Sequence, residues 1–252
     1  MGIGIKTKMA LSWPRALWVN WRIRAYAKRY KNNSDNYTLQ QRNDWLVKKA
    51  KFLLWLWNIK VEVEGYQNLP KSPAILVPNH KSYADPVVLL YALKKQSHED
   101  DVLNKIPTFV GKKELQKQKS VHSAMQLLDS FFIDSENFRD FFKTLNEFGK
   151  FVKENRTYGV IFPEGTRVGE DGLGEFKNGA FKVAHQNFLA VVPVAISDTR
   201  EAFNHKRKKK LTIKVTFLPQ FKANTVFAMD VNVLAEKAKE AIQGALANGE
   251  DK

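Results

Sequence analysis

The sequence has no cysteine, so disulfides, thiolate metal sites and a cysteine nucleophile are excluded. It has no uninterrupted stretch of the ~18 apolar residues that a transmembrane helix needs. No apolar segment precedes a small-residue cleavage site near the start, so a cleavable signal peptide fits poorly. Glycine-rich phosphate loops are missing, and no pair of histidines has the His-Glu-x-x-His spacing of a metal site. Ser82 stands outside any Gly-x-Ser-x-Gly elbow, which argues against an acyl-enzyme route. Acidic residues are absent from the first 31 positions, which hold eight Lys or Arg.

The formal net charge is +15, an excess that points to a polyanionic partner, either an anionic membrane or nucleic acid. Its distribution favours the membrane. Trp13, Trp18 and Trp21 lie among the N-terminal basic residues, with Leu11, Leu17, Val19 and Ile23. A basic, Trp-bearing helix over roughly 12–31 can lie in the headgroup layer, its rings at the boundary and its Lys and Arg on anionic lipid. Residues 32–38 read as a polar linker and 39–58 as a second helix. That helix ends in Phe52-Leu53-Leu54-Trp55-Leu56-Trp57, apolar on every face, which implies burial, lipid contact, or one on each side.

From residue 59 the pattern alternates between strands and helices. Strands are predicted at 59–64, 74–77, 108–111, 160–162, 190–196 and 210–218. Helices are predicted at 86–96, 137–154 and 230–247, and Met125–Ile133 is a further apolar segment. This order implies an α/β fold, a mixed and mostly parallel sheet covered by helices. The chain therefore divides into a two-helix extension, 1–58, and an α/β domain, 59–252.

Two polar clusters follow buried strands. Asn79-His80-Lys81-Ser82-Tyr83-Ala84-Asp85-Pro86 comes after Ala74-Ile75-Leu76-Val77. His80 then sits at a strand end, where α/β sheets keep their ligands, and Asp85 in the first turn of a helix, whose N-terminus favours a carboxylate. If the chain turns back, Asp85 can orient the His80 ring and stabilise its protonated form, which makes His80 a general base for a hydroxyl. Phe162-Pro163-Glu164-Gly165-Thr166-Arg167 follows Gly159-Val160-Ile161. There Arg167 can grip a phosphate, Gly165 permits close backbone approach, and Glu164 offers a charge that a simple loop salt bridge to Arg167 would also use.

Together, Asn-His-x-x-x-x-Asp and Phe-Pro-Glu-Gly-Thr-Arg, with Glu164 84 residues after His80, closely resemble the glycerolipid acyltransferase family, above all its bacterial 1-acylglycerol-3-phosphate acyltransferases. Gly111-Lys112-Lys113-Glu114-Leu115, Phe176-Lys177-Asn178-Gly179-Ala180 and Val191-Val192-Pro193-Val194-Ala195-Ile196 resemble further segments of that family. One departure is visible: Phe132-Ile133-Asp134-Ser135 stands where the family usually has Phe-Ile-Asp-Arg. Arg139, Lys112 or Lys113 is then the substitute for the missing phosphate contact.

The resemblance implies transfer of an acyl group from an acyl carrier protein or coenzyme A thioester to lysophosphatidic acid. His80 would act as base with Asp85 orienting it, and Glu164, Gly165, Thr166, Arg167, Lys112 and Arg139 would bind substrate. It implies no cofactor and no catalytic metal, and a peripheral or monotopic place on the cytoplasmic face of the cell membrane. Acylation of glycerol 3-phosphate or of another lysophospholipid shares these motifs. A basic nucleic-acid-binding protein shares the charge, but has no reason to carry both polar loops, so no nucleic-acid partner is expected.

Overall fold

The structure is a computed structural model that describes residues 4–71, 73–97, 99, 101–134 and 137–250. Ser135, at the departure from the family pattern, lies outside these residues.

Seven strands form one sheet. They are β1 (Ile59–Glu64), β2 (Ala74–Pro78), β3 (Pro107–Lys112), β4 (Phe131–Ile133), β5 (Tyr158–Val160), β6 (Ala190–Ile196) and β7 (Leu211–Phe217), in the spatial order β1-β7-β6-β2-β5-β3-β4. All neighbours pair in parallel except β6 with β7. The sheet is thus mixed and mostly parallel, as the alternation of elements implies. β2 is buried at every position because both of its faces are covered. Ala74 and Leu76 join one core layer, Ile75 and Val77 the other. A strand buried on two sides needs a continuous apolar run, which is why this segment does not alternate. β7 does alternate: Ile213, Val215 and Phe217 are fully buried, while Thr212 and Lys214 face outward.

One layer is made by α1 (Ile5–Asn32), α2 (Leu39–Leu56), α3 (Asp85–Ala92) and α4 (Lys119–Leu127). The other is made by α5 (Phe138–Glu154), α6 (Gly179–Asn187), α7 (Ala223–Ala228) and α8 (Val231–Glu250). α1 begins earlier than periodicity implies and passes through Pro14 without ending. α2 starts at a capping box, with Thr38 and Gln41 satisfying each other's backbone N–H groups. Its Leu46, Val47, Ala50 and Leu54 enter the sheet's own core, so the two N-terminal helices are packed onto the α/β unit. The apolar end of α2 divides by face: Leu54 and Leu56 are buried, Trp55 is exposed, and Trp57 meets Phe203 at 5.1 Å.

The predicted Met125–Ile133 segment is split. It supplies the end of α4, a left-handed turn at Asp129 with φ 46°, and β4. α6 and α7 add two helices beyond those that periodicity predicts, and Phe142 of α5 is exposed. β5 ends at Val160, so Ile161 and Phe162 belong to the loop beyond it. Among the described residues, no helix is long and apolar enough to cross a membrane.

Candidate active site

The site forms at the C-terminal ends of the parallel strands, where two loops meet. β2 delivers the first. Just past its end, the buried Asn79 carboxamide donates to the Ile196 carbonyl (2.9 Å) and accepts the Ile196 N–H (2.8 Å), tying this strand end to that of β6. His80 follows, and the chain turns so that Asp85 opens α3, with Pro86 in the first helical turn where a missing N–H costs nothing.

Asp85 is fully buried, and four groups converge on it. Its Oδ2 lies 2.7 Å from His80 Nδ1 and accepts the backbone N–H groups of Lys81 (2.7 Å) and Ser82 (2.9 Å). Its Oδ1 accepts the Thr199 hydroxyl, and Ser82 Oγ donates to Thr199 Oγ1 at 2.9 Å. The Oδ2 acceptor facing the ring at 2.7 Å fixes the proton of His80 on Nδ1. Nε2 is then the basic nitrogen; among the described residues it has no hydrogen-bond partner. The imidazole is also stacked on Phe162, with ring centres 4.1 Å apart and planes inclined by 26°. Ring orientation is therefore set by a hydrogen bond at one edge and an aromatic face on one side.

β5 delivers the second loop. Ile161 N–H bonds the Leu76 carbonyl (3.1 Å), which carries β5 alongside β2 and brings Phe162 against His80. Gly165, at φ 67°, makes the turn, and its N–H closes on the Phe162 carbonyl at 3.0 Å. The loop then returns so that Val168 N–H donates to the His80 carbonyl at 2.9 Å. Among the described residues the N–H groups of Thr166 and Arg167 bond to no protein group, whereas that of Gly165 is used in its own turn.

Glu164 and Arg167 do not form the loop salt bridge that the sequence left open. Glu164 is buried, and its carboxyl oxygens make no hydrogen bond of ordinary geometry with the described residues. Burial raises its pKa to about 7, and the Asp85 carboxylate adds to the rise. The nearby backbone N–H groups of His80 and Gly174 and the Lys81 ammonium oppose it. Arg167 points elsewhere: its guanidinium lies 3.7 Å above the exposed Tyr83 ring. Lys81 reaches across to the carbonyls of Glu170 and Gly172, and Arg200 binds Asp198, Asp171 (2.7 Å) and the Gly169 carbonyl (3.0 Å). These contacts hold the rest of the second loop over the first. Among the described residues, no group of three or more His, Asp or Glu side chains is placed to hold a metal ion.

A family model described as Acyltransferase matches residues 60–197, more than half of the chain. The chain belongs to the acyltransferase family. Among relatives of this acyltransferase is a probable 1-acyl-sn-glycerol-3-phosphate acyltransferase of Mycoplasma genitalium, 30% identical over 87% of this chain and 82% of that one. A protein of the same name from Mycoplasma pneumoniae is 33% identical over 73% of this chain. The human 1-acyl-sn-glycerol-3-phosphate acyltransferase alpha is 28% identical over 75% of it. The chain spans 65% of the Mycoplasma pneumoniae protein's length and 64% of the human one's. In solved structures, the 1-acyl-sn-glycerophosphate (LPA) acyltransferase PlsC of Thermotoga maritima shares the fold. Its TM-score is 0.69 at 21% identity, over 97% of this chain and 92% of that one.

Within this acyltransferase, His80, Asp85, Glu164, Gly165 and Arg167 come from two adjoining loops, and Thr166 lies exposed between the last two. Lys112 ends β3, two strands from β2 and thus about 10 Å away in the sheet plane. Arg139 opens α5, which packs on α6 as well as on β4. Both are exposed. Thr199 was missed, although it lies three residues past β6 in the polar run Ser197-Asp198-Thr199-Arg200, at a strand end on the ligand side of the sheet. It also lies beyond the matched segment.

Proposed function

We propose that this chain transfers a fatty acyl group from an acyl thioester to the sn-2 hydroxyl of 1-acylglycerol 3-phosphate, giving phosphatidic acid. The observation that carries the reading is the His80–Asp85 pair, a base oriented at Nδ1 and open at Nε2. The names of its relatives supply the substrate. Nε2 takes the proton of the acceptor hydroxyl as that oxygen attacks the thioester carbonyl. The tetrahedral intermediate collapses, the C–S bond breaks, and the imidazolium returns the proton to the departing thiolate. Thiolate leaves readily, so the scheme uses no cofactor, metal or acyl-enzyme.

Arg167 is the first candidate for the acceptor phosphate, since its guanidinium is exposed beside the first loop. Lys112, at the end of β3, and Arg139, at the start of α5, are the other candidates. Glu164 receives a polar group of the acceptor, because its carboxyl is buried beside His80 with its bonding capacity unused. The free N–H groups of Thr166 and Arg167, next to Gly165, are suited to the oxyanion. The donor is carried by acyl carrier protein or coenzyme A.

Residues 59–252 carry the chemistry, and the helices of 1–58 dock on the anionic cytoplasmic face of the membrane. Leu11, Trp13, Leu17, Trp18 and Trp21 support docking, all strongly exposed on a helix without acids. The experiment is an acyl-transfer assay on membranes with lysophosphatidic acid or glycerol 3-phosphate as acceptor and each thioester as donor. Selective conversion of lysophosphatidic acid supports the reading. Conversion of glycerol 3-phosphate alone, or of neither acceptor, overturns it.

A further inference from the structure

Arg15, Arg22 and Arg29 are spaced seven residues apart on α1. At 1.5 Å per residue they form a stripe with steps of about 10 Å along one face. The stripe runs along the junction with α2. There a cavity of about 190 Å³ is lined by Trp21, Arg22, Tyr26, Arg29, Tyr37 and Trp45. Its aromatic floor is interlocked, with Tyr26 edge-on to Tyr37 at 5.1 Å and to Trp45 at 5.0 Å.

Cations crowd this groove. Lys49 of α2 lies 4.6 Å from the Trp45 ring and 5.4 Å from that of Trp18, which Arg22 meets at 5.3 Å. Arg15 lies over Phe52 at 4.6 Å. Among the described residues, none of Arg15, Arg22, Arg29 and Lys49 forms a salt bridge. Lys49 is held below the usual lysine range by burial and then by Arg22, Arg15 and Lys48, as expected where like charges meet without an anion. Beside the groove, Trp13, Leu17 and Trp21 form the exposed apolar row. A molecule in the groove therefore has charge on one side and an apolar boundary on the other.

We propose that this groove binds the phosphomonoester headgroup of an anionic membrane lipid, held by Arg22 and Arg29 with Lys49 beside them. The terminal phosphate of such a lipid offers three oxygens to guanidinium forks, whereas a phosphodiester headgroup offers two. The same headgroup chemistry occurs in the substrate and product proposed above, so the groove would concentrate the enzyme where those lipids lie. The assignment rests on the reading that α1 and α2 lie on a membrane.

The test is binding of the full chain to phosphatidylcholine vesicles carrying phosphatidic acid or phosphatidylglycerol, matched in surface charge. The wild type should prefer phosphatidic acid. Arg22→Lys with Arg29→Lys keeps both charges but removes both forks, so the preference should vanish while binding to both vesicles persists. Arg22→Gln with Arg29→Gln should also weaken binding to both, by about fivefold per lost charge. Equal binding of the wild type to the two vesicles overturns the proposal and leaves membrane docking intact; no binding to either overturns both. A preference that survives Arg22→Lys with Arg29→Lys assigns it to another site and overturns the proposal. Competition by soluble glycerol 3-phosphate at constant ionic strength would assign the groove to free phosphate and overturn the lipid assignment.

Discussion

The Thr199 hydroxyl donates to Oδ1 of Asp85, 114 residues earlier in the chain, and closes the buried end of the His80 pair. This bond makes the loop after β6 part of the base's support. Thr199→Val keeps the shape but strands one carboxylate oxygen and the Ser82 hydroxyl. kcat should fall about tenfold with little change in the acceptor KM, because Thr199 acts through Asp85 and touches no substrate. Thr199→Ser should restore most of the rate. A KM effect without a kcat effect would show that Thr199 does not position the base.

His80→Ala should abolish transfer in folded protein. Asp85→Asn should lower kcat by ~10²–10⁴, because an amide cannot hold the productive tautomer or stabilise the imidazolium. Single-turnover assays with intact circular dichroism check both. Near-normal turnover in His80→Ala would remove the proposed mechanism.

The two strand-end motifs were legible because each is contiguous and follows a strand buried on both faces, β2 and β5, whose apolar runs mark them. β6 was legible for the same reason and β7 by its alternation, while the three-residue β4 was too short to read as a strand. What brings the motifs together was not. Asn79 to Ile196, Val168 to His80 and Thr199 to Asp85 are contacts between distant segments, and sequence spacing carries no trace of them. α6 was hidden because its buried Ala180, Phe181, Val183 and Ala184 lie in one short segment beside the site loop, too brief for periodicity to show. The choice between Arg167 and Lys112 likewise needed the strand order, which puts β5 between β2 and β3.

Glu164 should make stability depend on pH. Its folded pKa of about 7 lies above the ordinary value of 4.5, so the native state holds this proton more tightly than the unfolded chain. Its stabilising effect is fully present below the unfolded pKa. Stability then falls as pH rises through the folded value, by on the order of 3 kcal/mol over the whole window. Glu164→Gln should flatten that decline and raise stability at alkaline pH. Urea unfolding of wild type and variant at several pH values measures it; parallel pH dependences would show that Glu164 ionises freely.

Arg42 is buried in α2, and its guanidinium binds Asp129 (2.8 Å), the Leu127 carbonyl (2.8 Å) and the Tyr37 carbonyl (3.3 Å). It lies 3.8 Å above the Tyr30 ring, and the Tyr30 hydroxyl donates to Asp129 at 2.7 Å. One cation thus fastens α1, α2 and the α4–β4 turn. Arg42→Met leaves Asp129 without its cation and should cost about 3–5 kcal/mol. Adding Asp129→Asn should recover part of that loss, since asparagine also tolerates the left-handed turn. Additive losses in a denaturant double-mutant cycle would show that the two side chains are not coupled.

Trp13, Leu17 and Trp21 are spaced four residues apart, so they share one face of α1. They are 60%, 58% and 58% exposed, far more than large apolar side chains need be on a helix already packed on a core. That area is available to lipid, and full burial of such a side chain contributes roughly 1.5–3 kcal/mol. This apolar attraction is not screened by salt, whereas attraction of the basic residues is. Replacing the three by alanine should therefore leave binding to anionic vesicles that disappears at high salt, while the wild type retains a salt-resistant fraction. Because the Arg42 fastening and the core face of α1 are untouched, the fold and transfer to dispersed acceptor should persist, and transfer to membrane-borne acceptor should fall. Vesicle co-sedimentation across a salt series decides the matter: identical salt curves for variant and wild type would show that this face does not enter the lipid boundary.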